Sequence, residues 1–271
     1  MTMKIVSDSA SNLFALSGVD YDCVPLKIIS PTNEYVDTPD LDLDGMIADL
    51  KKAKGPTRTS CPNVHEWIEA MKDTDYAFAV TITSNLSGSC SAAMQAASEL
   101  ENVYVVDSLS AGPEMQLIIE KLRDLILEGQ DFEAIQAAIQ TYMTHTHLLF
   151  SLESLNNLAR NGRVSPAVAK IAGVLGLRLV GKASDHGTLE PMHKVRGEHR
   201  AISTIYDEMK AHGYKGGKVA LSHCQNLSAA QDLEGLIRQD FPNAPVSIIN
   251  CTALCSFYAE QGGLMIGYED L

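Results

Sequence analysis

The sequence has few cationic groups and no hydrophobic run long enough to cross a membrane. It contains 21 Lys and Arg residues against 34 Asp and Glu residues, for a net charge of -13. Nucleic-acid backbones and anionic membranes both attract clustered cations, so this excess of acid argues against either as a partner. No apolar run approaches the roughly 18 residues that a membrane span needs. The strand-like segment Met3–Val6 follows no cleavable leader, which predicts a cytoplasmic protein.

Aromatic residues are also scarce, and the cysteines lack the spacing of a metal site. Aromatic residues make up 6% of the chain, with one Trp, so the core must be built mainly from aliphatic side chains and Met. The six cysteines form no CxxC pair, and none lies at zinc-finger spacing from a His. We therefore expect reduced, mostly buried thiols and neither a metal nor another cofactor.

Strand and helix signals alternate through the first half of the chain. Three apolar runs of strand length are separated by amphipathic or Ala-rich segments: Met3–Val6, Tyr76–Ile82 and Val103–Val106. This alternation is typical of βαβ units and predicts an α/β fold with a mainly parallel sheet flanked by helices. The pattern changes after His147, and we place a domain boundary near residue 150, between residues 1–149 and residues 150–271.

Local signals predict further elements. Asn63, with Glu66 three residues later, has the pattern of a capping box that opens a helix over Val64–Met71. Other predicted segments are an extended run, Val24–Ile29, an Ala-rich helix, Ser87–Leu100, an apolar helix, Val168–Leu175, and a charged segment, Lys194–Arg200, that leads into another helix.

A polar turn follows each of the three apolar strands of the first half. The turns contain Asp8-Ser9, Ser87-Gly88-Ser89 and Asp107-Ser108. Ligands of open parallel sheets bind outside the carboxyl ends of the strands, where these turns meet. The turn at Ser87 also opens a helix, whose free N–H groups favour a carboxylate or phosphate. The alternative interpretation is that Ser87 only caps the helix.

Two other segments have side chains that suit a site. Thr59 and Ser60 place hydroxyl groups just before the capped helix, although a loop before a helix needs no further role. The segment Leu158–Ser165, which contains Arg163, is a basic turn in an acidic protein. Its alternative role is an exposed corner or an ion pair between the domains.

Taken in order, these segments resemble the DegV family over nearly the whole chain. Each motif is short, but six of them in the family's order and at comparable spacing make a specific signal. The matching segments are Val6–Ala10, Thr59–Pro62, Leu86–Ser89, Val106–Ser108, Leu158–Ser165 and Lys194–Arg196.

The resemblance implies a two-domain DegV-like fold that binds a long-chain fatty acid in a tunnel between its domains. It implies that hydroxyls of Thr59 and Ser87 hold the carboxylate of the acid, with Ser60, Gly88 and Ser89 as neighbours. Secondary candidates for the ligand site are Asp8, Ser9, Asp107 and Ser108. Candidates for the tunnel wall are Met residues together with Ile171, Val174, Leu175 and Leu177, although such an apolar stripe is also typical of an ordinary core.

Many members of the family are similar to the binding subunit of bacterial fatty acid kinase. Such a subunit presents the carboxylate to a separate ATP-dependent kinase, which makes an acyl-phosphate. The chain contains no Gly-x-x-x-x-Gly-Lys-Ser/Thr loop, which agrees with nucleotide chemistry in a partner. Arg163 and Arg196 are the predicted docking positions for an acidic patch of that kinase.

The chain departs from the family near its end. Members commonly have His-x-Gly-Pro-Gly-Ala before the last strand, and here Tyr258 stands at the position of the His. A Tyr hydroxyl can donate a hydrogen bond to a carboxylate, but it cannot serve as a charged anchor near neutral pH. The sequence therefore predicts lipid binding more firmly than turnover with a kinase.

Two other functions remain open at this point. A serine-dependent acyl hydrolase or transferase would use Ser87 with Asp107, although the chain has no Gly-x-Ser-x-Gly elbow and no His placed as an obvious base. A small-anion sensor would bind a phosphate or a sugar acid with the same strand-end hydroxyls.

Overall fold

The first half of the chain is built on a parallel sheet. The structure is a computed structural model that describes residues 2–165, 168 and 176–271. The sheet has four strands in the order β2-β1-β6-β7, and every neighbouring pair is parallel. Its strands are β1 (Met3–Asp8), β2 (Asp20–Val24), β6 (Tyr76–Thr81) and β7 (Val103–Asp107). The predicted mainly parallel sheet is confirmed.

Helices cover both faces of this sheet, because the apolar side chains of its strands point alternately to one face and to the other. Ala77 and Ala79 of β6 face α2 (Val64–Met71) and α3 (Ser89–Ala97), and the small side chains allow close packing with the buried Trp67 of α2. Phe78 and Val80 point to the opposite face and pack against α4 (Pro113–Leu127) and α5 (Phe132–Met143). Successive side chains of a strand point to opposite faces, so the continuous apolar run of β6 is typical of a strand that is buried on both sides.

A small antiparallel sheet inserted into the first half was not predicted. It has the order β4-β3-β5, and its strands are β3 (Lys27–Ile29), β4 (Glu34–Val36) and β5 (Arg58–Ser60). Helix α1 (Leu43–Lys52) lies between β4 and β5 in the chain. The single extended run predicted over Val24–Ile29 is wrong: it divides at Pro25, which has no N–H for a strand ladder, so the chain leaves one sheet and enters another.

The second half contains a sheet with the strand order β10-β9-β8-β13-β11-β12. Only β11 and β12 are parallel neighbours in it. Its strands are β8 (Thr146–Leu152), β9 (Leu177–Ala183), β10 (Leu189–Arg196), β11 (Val219–His223), β12 (Val246–Asn250) and β13 (Leu264–Glu269). Its helices include α6 (Asn156–Arg160), α7 (Glu198–Ala211), α8 (Leu227–Asp240) and α9 (Ala253–Ala259).

Two elements of this half were not predicted as such. The sequence predicts a turn followed by charged residues where β10 lies, because an edge strand with exposed polar side chains and Pro191 lacks an alternating pattern. Helix α9 was not predicted because it is short and most of its residues are buried, so it shows no polar face. The predicted helix Val168–Leu175 lies outside the described residues except for Val168.

The two halves pack directly against each other. Helix α4 of the first half contacts β13 and β11 of the second, and α9 of the second half contacts α1 and β3 of the first. The boundary predicted after residue 149 falls inside β8 and stays a prediction. All six cysteines are free, and four of them are buried. Among the described helices, none has both the length and the hydrophobicity that a membrane crossing requires.

The capping box of α2 provides a test of local stability. Asn63 accepts the N–H of Glu66 at 3.0 Å, and the Glu66 carboxylate accepts the N–H of Asn63 at 2.7 Å. Asn63→Ala leaves one helix N–H without its acceptor, so we expect about 1 kcal/mol lower free energy of unfolding. Urea titration followed by the fluorescence of Trp67 measures this loss. Asn63→Asp keeps the acceptor and is the control, and an equal loss in both variants would contradict this explanation.

Candidate functional site

A cavity of about 320 Å³ lies between the two halves. The first half contributes side chains from β5 and from the loops after β6 and β7, and the second half contributes β8, α6, α9 and the turn between β9 and β10. Most of the wall is apolar: Leu26, Ile82, Leu148, Phe150, Leu152, Leu158, Leu189, Leu254 and Met265. A cavity with these walls suits an apolar ligand of modest cross-section.

One of the four named candidates for the tunnel wall can be compared with the structure. Leu177 is described, and it does not line this cavity but a separate polar cleft beside α1. Ile171, Val174 and Leu175 lie outside the described residues. The prediction that Met residues contribute is met by Met265, at the start of β13.

The structure brings Thr59 and Tyr258 together at the cavity. Thr59 lies on β5 of the first half and Tyr258 on α9 of the second, and their hydroxyl oxygens are 2.7 Å apart in a hydrogen bond. Burial raises the pKa of Tyr258, while the hydrogen bond to Thr59 and the charge of Arg163 act in the opposite direction. The Tyr258 hydroxyl is therefore protonated and able to donate at neutral pH. Ser60 also lines the cavity, at its exposed rim.

Ser87 and Gly88 line the cavity from a turn before α3. The helix begins at Ser89 and not, as predicted, at Ser87. Ser87 Oγ accepts the N–H of Ser89 at 3.2 Å, and no acceptor for its own proton is found in the described part of the chain. Gly88 is the N-cap of α3 and no side chain caps the helix, so Ser87 precedes the cap, and its hydroxyl proton is available to a ligand.

Arg163 also lines this cavity, which sequence reasoning missed. It was predicted as a docking position on the surface, but the structure places it half-buried in the wall. Its Nε donates to the carbonyl of Leu86 at 3.0 Å, and its Nη1 donates to the carbonyl of Asn161. Among the described residues, Nη2 has no acceptor. Arg163 therefore brings a positive charge close to Ser87 and Tyr258, and only its position in the Leu158–Ser165 motif could have indicated this.

Ser89 and Asp8 lie behind the cavity wall and do not line it. The buried Asp8 carboxylate accepts the Ser89 hydroxyl at 2.6 Å, the N–H of Ile82 at 2.9 Å and the N–H of Ala10 at 3.2 Å. Burial raises the pKa of Asp8 to about 6, and these hydrogen bonds oppose the rise. Their polar atoms bind each other and connect β1, the end of β6 and α3, and the prediction that these residues contact a ligand stays a prediction.

The side-chain oxygens of the other secondary candidates form hydrogen bonds with backbone groups. Ser9 Oγ accepts the N–H of Leu26 at 3.0 Å. Asp107 accepts the N–H groups of Ser84 and Leu109, each at 3.1 Å. Ser108 Oγ accepts the N–H of Ser110 and donates to its carbonyl. These three residues shape the loops at the sheet edge and do not line the cavity.

The turn between β9 and β10 closes one side of the cavity. Asn85 Nδ2 donates to the carbonyl of His186 at 2.7 Å, which fastens this turn to the first half. Gly187 has a φ of +71° and fits so closely that a Cβ would overlap Thr83 Oγ1. A glycine is needed here because the turn combines a left-handed backbone with this close approach. The turn therefore separates the apolar interior from solvent.

The site contains little that could hold a metal or act as a base. No group of three or more His, Cys, Asp or Glu side chains is placed to hold a metal ion in the described ranges. No His belongs to the described residues that line the cavity. Arg196 lies at the exposed end of β10, away from the cavity wall.

The chain matches known proteins over its full length. Residues 2–270 match the DegV family, which is described as an uncharacterised protein family. A DegV domain-containing protein of Streptococcus pyogenes serotype M18 is 39% identical over 279 residues, which cover 99% of this chain and 100% of the relative.

Two solved structures are also similar over the whole chain. The Fak B3 protein of Streptococcus pneumoniae fatty acid kinase, loaded with linoleic acid, has a TM-score of 0.98 and 38% identity and covers 100% of both chains. A DegV family protein from Eubacterium eligens, loaded with heptadecanoic acid, has a TM-score of 0.97 and 41% identity with the same coverage. The fold is therefore the one found in these proteins, and the chain belongs to the DegV family.

Proposed function

We propose that this protein binds a long-chain fatty acid in the cavity between its halves. The observation that supports this most directly is an apolar cavity with Thr59, Ser87, Tyr258 and Arg163 gathered in its wall. Relatives at 38% and 41% identity hold linoleic acid and heptadecanoic acid. The acyl tail would lie against the apolar wall, and the carboxylate would lie beside the hydroxyls.

The acyl tail supplies most of the binding energy. Each buried methylene contributes about 0.8 kcal/mol, so a tail of about fifteen methylenes contributes on the order of 12 kcal/mol before costs. Loss of overall motion and ordering of the flexible tail subtract several kcal/mol from this gross figure. The remainder still permits micromolar or tighter binding. The polar groups are therefore needed mainly to orient the carboxylate.

Neutral donors and one cation suit a carboxylate that must remain reactive. The Ser87 and Tyr258 hydroxyls donate to the carboxylate, and Nη2 of Arg163 offers a charge-assisted hydrogen bond. Replacing the family His with Tyr258 removes one ionisable donor, and Arg163 keeps a positive charge in the wall. Ser60 and Gly88 line the cavity and are exposed, which places this polar end near the surface.

The exposed polar end fits presentation of the carboxylate to a separate ATP-dependent kinase. The pneumococcal relative is a component of fatty acid kinase, and this chain has no nucleotide-binding loop of its own. Docking would use the exposed Lys194, Arg196 and Arg200, which form no ion pairs with any described residue. Arg196 lies seven residues along β10 from Leu189 in the cavity wall, a span of roughly 20 Å. It can therefore guide a partner without touching the carboxylate.

Nothing in the geometry favours the other two functions. Asp107 is bonded to backbone N–H groups and does not contact Ser87, and no described His lines the cavity, so a serine hydrolase would lack its base. A small-anion sensor would not need the apolar wall, whose burial is useful only to an apolar ligand.

The first prediction is that the purified protein carries one fatty acid. Native mass spectrometry after mild expression should detect an intact, non-covalent acid, because the apolar cavity retains it through purification. Delipidated protein should melt at a higher temperature when linoleic acid is added, since ligand at 100 times its Kd stabilises by about 2.7 kcal/mol. Inorganic phosphate is the control ligand. Stabilisation by phosphate but not by linoleic acid would favour the sensor.

The second prediction concerns the donors to the carboxylate. Ser87→Ala removes a donor to the carboxylate, and Thr59→Ala removes the hydrogen-bond partner that orients the Tyr258 hydroxyl; each should weaken linoleic acid binding by roughly 1.5–3 kcal/mol, measured by titration calorimetry. Ser84→Ala in the same loop is the matched control, since Ser84 is exposed and does not line the cavity. Unchanged affinity in both test variants would show that the carboxylate lies elsewhere.

The third prediction separates docking from lipid binding. Arg196→Glu reverses a charge on the proposed docking surface, so kcat/KM of an ATP-dependent fatty acid kinase subunit should fall about tenfold or more, and more at low salt. Its affinity for linoleic acid should not change. Arg238→Glu is the control, because Arg238 already pairs with Glu234 on α8. Equal kinase turnover in Arg196→Glu and wild type would show that the kinase does not dock on this surface.

A further inference from the structure

Helix α9 is the element that carries Tyr258 to the cavity. Four of its residues line the cavity: Leu254, Cys255, Tyr258 and Ala259. The helix has seven residues, which is too short to be stable through its own hydrogen bonds. The position of Tyr258 therefore depends on what holds this helix in place.

The N-terminus of α9 is held by a carboxylate from the other half of the chain. Thr252 occupies the N-cap position, but its side chain makes no capping hydrogen bond. Instead, Asp37 Oδ1 accepts the N–H of Ala253 at 2.8 Å, and Oδ2 accepts the N–H of Leu254 at 3.1 Å. Asp37 follows β4 in the first half and is only 1% exposed.

The Thr252 hydroxyl adds to this junction. It lies 3.1 Å from Asp37 Oδ2 and 3.1 Å from the carbonyl oxygen of Ser9, another group of the first half. The N–H of Thr252 donates to Asn12 Oδ1 at 2.9 Å. The start of α9 is thus connected to the first half by several hydrogen bonds, of which Asp37 accepts two from the helix itself.

We propose that Asp37 is a positioning residue for the fatty acid carboxylate, because it fixes α9 so that Tyr258 meets Thr59 at the polar end of the cavity. Ala253 and Tyr258 are five residues apart, or about 7.5 Å along a helix. The helix is therefore attached to the first half at both ends, by Asp37 and by the hydrogen bond between Tyr258 and Thr59. This inference rests on the proposed function.

Because Asp37 is buried against the start of α9, a different side chain at this position would change the hydrogen bonds to the helix. Burial raises its pKa, and the N–H groups of Leu254 and Ala253 oppose the rise by hydrogen bonding to the ionised form. An Asn at this position would have the same size but would turn an NH₂ group toward one of the helix donors. Asp37→Asn therefore disturbs the start of α9 and leaves the cavity wall chemically unchanged.

The experiment is a double-mutant cycle in linoleic acid binding. Asp37→Asn should weaken binding about tenfold in the wild-type background and less than about twofold in the Tyr258→Phe background. The effects should not add, because Asp37→Asn displaces the Tyr258 hydroxyl and Tyr258→Phe removes it. A purely structural effect would weaken binding by the same factor in both backgrounds. Should Asp37→Asn not fold, Asp37→Glu keeps two acceptor oxygens, displaces them by one methylene, and is expected to give the same non-additivity.

Asp131→Asn is the matched control. Asp131 caps α5 by accepting the N–H of Ala134 at 2.8 Å, and no residue of α5 lines the cavity. Because Asn keeps an oxygen that accepts the N–H of Ala134, this variant should leave the melting temperature nearly unchanged and should not change the affinity for linoleic acid. Equal affinity losses in Asp131→Asn and Asp37→Asn would overturn the proposal.

Hydrogen exchange of the ligand-free protein gives a readout that does not depend on lipid. Asp37→Asn should speed amide exchange in Ala253–Ala259, and Asp131→Asn should not. Unchanged exchange in α9 overturns the positioning role even where the protein binds lipid. Faster exchange in a protein that binds no linoleic acid would instead refute the proposed function and leave Asp37 as the residue that holds α9.

Discussion

The hydrogen bond between Thr59 and Tyr258 joins the two halves of the protein where polar groups enter the wall of an otherwise largely apolar cavity. An apolar cavity is costly to keep open, because its walls gain nothing from contact with water and would gain from contact with each other. The two halves must therefore be held at a fixed separation by groups outside the apolar wall. Hydrogen bonds across the interface do this, while the wall itself remains free to accept an acyl chain.

Buried carboxylates fasten elements together both within the first half and across the interface. Asp8 connects two strands to α3, and Asp37 connects the first half to α9. Each carboxylate is buried at a cost, which its N–H and O–H donors offset. A buried carboxylate without these donors would destabilise the protein, so these residues are placed by the fold and not by the ligand. This explains why acidic residues near a site need not contact what the site binds.

The sequence predicted the parts of the fold that depend on local pattern. A strand within the run Tyr76–Ile82 and the capping box at Asn63 were both found where predicted, because a continuous apolar run and helix capping act over a few residues. Strand β10 was missed because its exposed polar side chains show no alternating pattern, and helix α9 was missed because it is short, mostly buried and held by residues distant in sequence. The same limit applies to the site. Thr59 and Tyr258 were both predicted to bind the ligand, but only the tertiary structure shows them bonded to each other.

Arg163 shows most clearly what sequence alone could not decide. A cation in a basic turn of a protein of net charge -13 is equally consistent with a docking surface and with an internal anion site. The structure shows the guanidinium of Arg163 in the cavity wall, oriented by the carbonyl of Leu86, and this position supports the second interpretation. In this position the charge would favour a carboxylate, and under the proposed function the acyl tail would provide most of the affinity. Such a division would hold the ligand mainly by its tail, so that the few polar contacts serve to orient a carboxylate that lies near the surface.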